Sequence, residues 1–224
     1  MISREQLDAV AFWASELSDN EQERVRKGMT LRSFEAGAYL MHRGDVVDSW
    51  TGIAKGLMKL GSITDSGKPV TFAGLPGGMW FGEGSLIKGE PRQYDVVALR
   101  KTQVAFLNRA TFLWLFENSL GFNKLLVRLI NERLGQFIGL VEQHRMLESA
   151  GQMARSIAWL FNPVLCPSIG DHIEISQEEM GLLAGVSRQV TNRVLRELEA
   201  DGLIALERSG ITVKDRDRLR RYGE

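Results

Sequence analysis

Cysteine is almost missing: Cys166 stands alone in 224 residues. One thiol forms no internal disulfide and supplies no four-cysteine zinc or iron–sulfur site. It reads as a semi-buried structural thiol in a reducing compartment. Histidine is nearly as scarce, with His42, His144 and His172 only. There is no His-x-x-x-His pair, no Walker-type glycine–lysine loop and no Ser/His/Asp set, so enzymatic chemistry is not expected. No run of about 18 apolar residues occurs, so no membrane span or membrane partner is expected. The opening MISREQLDAVAFW carries Arg4, Glu5 and Asp8 without a long apolar core. It reads as no signal peptide, which leads to the expectation of a cytoplasmic chain. Net charge is missing too, at 28 basic against 28 acidic residues. Any nucleic-acid site must therefore be a local patch rather than a whole-chain field.

What is present suffices for two modest domains, since 44% of residues are apolar. Three textures follow one another. Residues 1–30 look like short helices with charged faces. Residues 31–110 are rich in glycine, with short apolar stretches between turns such as Glu35-Ala36-Gly37, Arg43-Gly44-Asp45 and Pro76-Gly77-Gly78. That spacing predicts many short antiparallel strands closing into a sandwich or barrel. Asp65-Ser66-Gly67-Lys68, between two strand-like runs, predicts a hairpin turn. Trp50, Trp80 and Trp114 read as core rather than as a cofactor box.

From Thr111 to Leu147 there is no proline, and the period changes. Val127, Ile130, Leu134, Phe137, Val141 and His144 alternate at spacings of three and four, which is a heptad seam. Arg128, Glu132, Arg133 and Glu142 flank it, and a narrow stripe with charged flanks predicts a second copy as its partner. The other reading is a helix packed on its own barrel. The fold class is then α+β, with a β-barrel domain over 1–120, a dimerisation helix over 121–148 and a third domain over 149–224.

The run from Ile175 to Leu206 is the most specific. Ser176 with Glu179 makes a capping box, and Ala184-Gly185-Val186 makes a tight turn. Ser187 then caps a helix with Val190, Val194, Leu195 and Leu198 on one side and Arg188, Gln189, Asn192, Arg193 and Arg196 on the rest. Between 187 and 196 there are three arginines and no acid, although 150–224 as a whole holds 10 basic and 11 acidic residues. This is what a recognition helix needs, because Arg reads guanine and Gln or Asn reads adenine in the major groove. Two short strands around Arg208-Ser209-Gly210 predict a wing, with Arg208 as a phosphate contact. Double-stranded DNA is the expected partner. The alternative is a small-molecule-binding module whose winged helix meets a protein.

At this point the chain resembles the cyclic-AMP receptor/fumarate-nitrate (Crp/Fnr) family of bacterial transcription regulators over nearly its whole length. The resemblance rests on Phe34-x-x-Gly37-x-x-Leu40-x-x-x-Gly44-Asp45, on Trp50-x-Gly52-Ile53-x-x-Gly56-Leu57, on Phe81 to Arg92 and on the helix-turn-helix. It implies a jelly-roll sensor, a long dimerisation helix, a winged helix, a homodimer on a palindromic site, and RNA polymerase as a further partner. It also implies that Ser187, Arg188, Gln189 and Arg193 stand at base-contacting positions.

The stretch from Phe81 to Arg92 is similar to the family's phosphate-binding cassette. The resemblance implies that Gly82, Gly84 and Ser85 line a ligand, with Glu83 on a ribose hydroxyl and Arg92 on a cyclic phosphate. Departures argue against a cyclic nucleotide. Gln93 and Tyr94 stand where nucleotide binders carry a small hydroxyl residue and then alanine. Phe137 and Ile138 stand where cyclic-AMP responders place hydroxyl residues. The expectation is that Glu83 and Arg92 pair with each other structurally and that a small-molecule effector, if any, is not cyclic AMP. An iron–sulfur cluster is not expected from one cysteine, and His144 is read as a packed seam residue rather than a haem ligand.

Overall fold

A computed structural model describes residues 1–64, 67, 69–146 and 148–223, with backbone alone for 69 and 143–146. Asp65, Ser66 and Lys68 of the expected hairpin, and the His144 side chain, lie outside the described residues.

The chain opens with helix α1 (Arg4–Val10), a 3-10 turn over Phe12–Glu16 and helix α2 (Asp19–Gly28). Ser3 and Gln6 form a reciprocal capping box on α1, as Ser18 and Glu21 do on α2, which satisfies backbone N–H groups otherwise left open. Leu7, Val10, Trp13 and Val25 are buried against the strands that follow.

Those strands are β1 (Met29–Phe34), β2 (Tyr39–Met41), β3 (Ser49–Lys55), β4 (Leu57–Ile63), β5 (Pro69–Pro76), β6 (Trp80–Phe81), β7 (Asp95–Ala98) and β8 (Thr102–Asn108), with the short helix α3 (Glu83–Lys88) between β6 and β7. They form two four-stranded antiparallel sheets, ordered β1-β8-β3-β6 and β2-β7-β4-β5. The expected barrel is a sandwich whose strand ladders do not close, because among the described residues no ladder joins one sheet to the other. Consecutive strands β3 and β4 belong to different sheets, and the chain crosses between them at Gly56. Its φ is +105°, and a Cβ there would lie 2.5 Å from Thr102 Oγ1. Only glycine fits such a corner. Strands β4 and β5 pair from Leu57↔Pro76 to Ile63↔Pro69, so the residues around Gly67 link a hairpin.

Between the sheets and the flanking helices lies an aromatic cluster. Trp50 and Trp80 stand 4.6 Å apart, Trp13 and Trp50 5.0 Å, and Phe112 and Phe122 close it at 5.4 Å. The indole N–H of Trp80 donates to the Val10 carbonyl at 3.1 Å, so a buried polar tip is satisfied. Trp114 lies outside this cluster, under the Arg24 guanidinium at 4.2 Å.

The proline-free stretch is two helices, α4 (Arg109–Asn118) and α5 (Leu120–Met146), with extended Ser119 between them. Ser119 Oγ accepts from the Phe122 N–H at 3.2 Å and so caps the longer one. The first turns of α5 bury Phe122, Leu125, Leu126 and Leu129 in the sensor core. Val127, Ile130, Leu134, Phe137 and Val141 lie between 41 and 62% exposed. The α5 surface thus carries one apolar face that is covered and a second that the single chain leaves open.

Helix α6 (Ser149–Leu160), strand β9 (His172–Ile173), helices α7 (Gln177–Ala184) and α8 (Arg188–Ala200), strands β10 (Ile204–Glu207) and β11 (Gly210–Val213) and helix α9 (Arg216–Arg220) make the C-terminal part. Its core gathers Met153, Ile157, Phe161, Val194, Leu195, Leu198 and Leu203. Helix α9 packs onto this part: Leu219 is buried and Arg216 donates to the Gly170 carbonyl at 3.0 Å.

Two tests follow from the packing. A Cβ at Gly52 would meet the Trp80 ring at 2.3 Å. Gly52→Ala is expected to lower stability by about 1–3 kcal/mol in urea unfolding with an unchanged slope, through overpacking; wild-type stability would show that the ring can yield. Burial raises the Cys166 thiol to about 12. Since the thiolate is the reactive form, iodoacetamide at pH 8 is expected to leave native Cys166 unlabelled and to label it in denaturant, read by mass.

Candidate nucleic-acid interface and effector pocket

Helix α7 begins at Ser176, whose Oγ accepts from the Glu179 N–H at 3.2 Å, while Glu179 Oε2 accepts from the Ser176 N–H at 2.7 Å. It ends at Gly185, in the left-handed region at φ +70°. Ser187 Oγ accepts from the Val190 N–H at 3.4 Å and starts α8. The two helices come close where Gly181 faces Thr191, since a Cβ on Gly181 would lie 2.5 Å from Thr191 Oγ1. Thr191 is fully buried and donates to the Ser187 carbonyl at 3.0 Å. Sequence reading passed over this contact, although small residues ten apart across a tight turn are its signal.

With Thr191, Val194, Leu195 and Leu198 turned inward, Arg188, Gln189, Arg193 and Arg196 are exposed on the other side of α8. Asn192 is half-buried and donates to the Arg188 carbonyl at 3.2 Å, so its amide is engaged by its own helix. Strands β10 and β11 pair around exposed Arg208 and Ser209, and β9 joins β11 as a third strand. Gly210 is required there, because a Cβ would lie 2.0 Å from the Ile173 carbonyl.

The reading head is docked on the sensor. Arg100, between β7 and β8, donates to Glu179 at 2.8 Å, on the same oxygen that caps α7. Beside it, Leu160 and Leu183 press on β5 at Gly74, where a Cβ would meet Leu160 at 2.5 Å. The adjacent α5 residues Glu132 and Arg133 reach in two directions. Glu132 accepts from Asn162 Nδ2 at 2.6 Å, beyond the end of α6. Arg133 donates to Glu83 and to the Trp80 carbonyl in the sensor.

Between these three parts lies a cavity of about 350 Å³. Gly82, Glu83, Gly84, Ser85 and Gln93 of the cassette line it. Arg92, Phe137 and Ile138 do not. Arg92 is only 4% exposed, donates to the Ser49 carbonyl at 2.9 Å and faces a separate cleft beside Asp45 and Asp48. Burial draws its pKa down, against the carboxylates around it. The expected Glu83–Arg92 pair is not formed. Glu83 accepts from Trp50 Nε1 at 3.3 Å and pairs with Arg133 of α5 instead. Phe137 and Ile138 point outward because α5 turns Arg133 and Gln136, three residues apart, toward the sensor. Arg133, read from sequence as a charged flank of the seam, is thus a cavity residue. Gln136, Trp159, Leu160 and Leu183 also line the cavity and carried no signal in the sequence beyond helical spacing. Tyr94 lines it too, and burial, with Glu83 nearby, raises its hydroxyl pKa.

Residues 31–119 match the cyclic nucleotide-binding domain family, and residues 151–222 match the Crp-like helix-turn-helix domain family. The chain is 26% identical to the cyclic AMP receptor protein of Thermus thermophilus over 184 residues, covering 82% of this chain and 83% of that one. A CRP/FNR-family transcriptional regulator from Thermus thermophilus superposes with a TM-score of 0.61 at 19% identity, over 87% of this chain and 100% of that one. The c-di-GMP-responsive global regulator CLP of Xanthomonas campestris superposes with a TM-score of 0.61 at 18% identity, over 88% and 100%. At these identities the two structural likenesses concern the fold.

The docking contact yields its own test. In a double-mutant cycle of Arg100→Met and Glu179→Gln, a coupling of roughly 0.5–1 kcal/mol is expected for a half-screened pair. Zero coupling would mean that the apolar contact at Gly74 carries the docking alone.

Proposed function

The chain belongs to the Crp/Fnr family of transcription regulators, and from that premise we propose that it works as a homodimer on a palindromic DNA site under the control of a small effector other than a cyclic nucleotide. The observation that carries the DNA reading is α8. A helix capped at Ser187 buries one face and presents Arg188, Gln189, Arg193 and Arg196 on the other, with no acid among residues 187–196. In this reading Arg188, Gln189 and Arg193 contact base edges, Ser187 and Asn192 support the first turn, and Arg208 on the wing holds a phosphate. The effect is local, as the neutral net charge requires.

The dimer reading rests on the open α5 face of Val127, Ile130, Leu134, Phe137 and Val141. Apolar residues at heptad spacing are expected to lie against a second α5, placing two recognition helices about 34 Å apart in successive major grooves. His144 continues that spacing. RNA polymerase is the proposed protein partner and the cytoplasm the proposed compartment; among the described residues no helix is long and apolar enough to cross a membrane.

The relatives are named for cyclic AMP and c-di-GMP. For this chain we assign neither, because Arg92 is turned away from the cavity and Glu83 is already bound to Arg133. The effector would lie instead along Gly82, Glu83, Gly84, Ser85 and Gln93.

Fluorescence anisotropy with a palindromic site tests the DNA reading. Arg193→Ala is expected to cost about 1–3 kcal/mol and to relax base preference at one position per half-site. Uniform weakening on all sequences would make Arg193 a phosphate contact. For the dimer, Phe137→Glu is expected to sediment as a monomer, since it buries two carboxylates in the seam; an unchanged dimer would remove the seam from the interface.

A further inference from the structure

The cavity between sensor, long helix and reading head has walls of unequal chemistry. Phe72, Met79, Trp159, Leu160 and Leu183 supply an apolar body. At the polar end the charged side chains that line it are matched in pairs, Glu83 with Arg133 and, at 3.7 Å on the rim, Lys88 with Glu90. One charge beside the cavity is not matched. Arg92 lies behind the wall at Gly82, with its Nη1 packed where a Cβ on that glycine would sit. The guanidinium is buried, its Nη2 donates to the Ser49 carbonyl at 2.9 Å, and Nη1 meets no acceptor. Asp45 and Asp48 act on it from the separate cleft, but among the described residues no carboxylate forms an ion pair with it. A buried cation without a counter-charge is costly. An anion one backbone thickness away offsets part of that cost through the low-dielectric wall, without touching the guanidinium.

A donor stands on the cavity side of that wall. Tyr94 lines the cavity and, of the groups whose ionisation bears on Arg92, acts on it most strongly. The Tyr94 side chain is only partly buried, and its hydroxyl is not among the polar atoms shut off from solvent. Burial, with Glu83 nearby, raises the hydroxyl pKa, so it keeps its proton at neutral pH and can donate. We propose that this cavity binds an aromatic monocarboxylate, with the ring body on the apolar walls, the carboxylate accepting from the Tyr94 hydroxyl and its charge set against Arg92 across Gly82. This rests on the effector reading above and narrows it to a chemical class. One unmatched cation calls for one negative charge, and the apolar walls call for a hydrocarbon body. Both oxygens of Glu83 are engaged, by Trp50 and Arg133, so that carboxylate is not open to a sugar hydroxyl. The volume of about 350 Å³ suits one or two fused rings with a short side group. Trp159 and Leu160 lie on α6 and Leu183 on α7, the first helix of the helix-turn-helix, so the ring body touches the reading head.

Titration calorimetry of the full chain at neutral pH with three probes tests the proposal: 2-naphthoate, its uncharged isostere 2-naphthamide, and cyclic AMP. The naphthoate is expected to bind at least tenfold more tightly than either of the others. Tyr94→Phe keeps the ring and removes the donor, and is expected to weaken the naphthoate at least fivefold. Arg92→Met removes the charge behind the wall and is expected to bring naphthoate and naphthamide within about twofold of each other. Naphthamide or cyclic AMP binding as tightly as the naphthoate overturns the proposal, as does a naphthoate affinity that ignores Tyr94→Phe. Should Arg92→Met not fold, the ranking of the probes on the wild-type protein and the Tyr94→Phe result decide. Anisotropy on the same wild-type sample separates the two levels. DNA binding with no naphthoate binding sinks the ligand class alone. Naphthoate binding with no affinity for any DNA sinks the regulator reading and leaves the cavity chemistry standing.

Discussion

Two neighbouring side chains on one helix hold this molecule together. Glu132 and Arg133 of α5 point to different sides, one to Asn162 below α6 and the other to Glu83 and the Trp80 carbonyl in the sensor. Neither link is a simple surface pair. Glu83 is buried, and its second oxygen is held by the Trp50 indole. A buried carboxylate without a counter-charge is costly, so Arg133 ties the roll of α5 to the position of Glu83. Asn162 in turn accepts from the N–H groups of Val164 and Leu165 at 2.9 and 3.0 Å, which shapes the loop leaving α6. The orientation of the sensor, the long helix and the reading head is therefore set at one turn of α5.

Once that roll is set, the remaining faces of α5 acquire their roles. Phe122, Leu125, Leu126 and Leu129 go inward, toward the aromatic cluster. Arg133 and Gln136 go to the cavity. Val127, Ile130, Leu134, Phe137 and Val141 are left facing outward at heptad spacing. The cavity, the proposed seam and the sensor core are three sides of the same helix. The Arg100–Glu179 pair and the Gly74 contact extend this linkage to α7. Glu179 stands at a junction, since the oxygen that caps the helix-turn-helix also receives Arg100. The cavity and the helix-turn-helix are thus separated by one layer of side chains.

Much of this was legible in the chain. Caps at Ser176 and Ser187, the turn at Gly185 and the three arginines without an acid specify the reading head, because capping and helical spacing are local properties. Glycine-rich turns announced short antiparallel strands for the same reason. The sequence left sandwich and barrel open, and did not reveal that the proline-free stretch breaks at Ser119 or that Gly181 packs on Thr191. Each of these depends on what lies across the chain rather than along it.

The cassette marks the boundary most sharply. Its residues, from Gly82 to Gln93, could be named from their order, and the replacements at Gln93 and Tyr94 argued against a cyclic nucleotide. Spacing could not say which partner Glu83 would take. In the folded chain Arg133, 50 residues away, outcompetes Arg92, whose guanidinium is held by the Ser49 carbonyl and packs where a Cβ on Gly82 would sit. Composition and periodicity determined the classes of element and the polar face of α8, since those follow from the residues on one segment. The direction of Arg92, the outward turn of Phe137 and Ile138, and the unpartnered amide of Gln136 were decided by tertiary structure, because a buried charge or donor is placed by the groups that surround it.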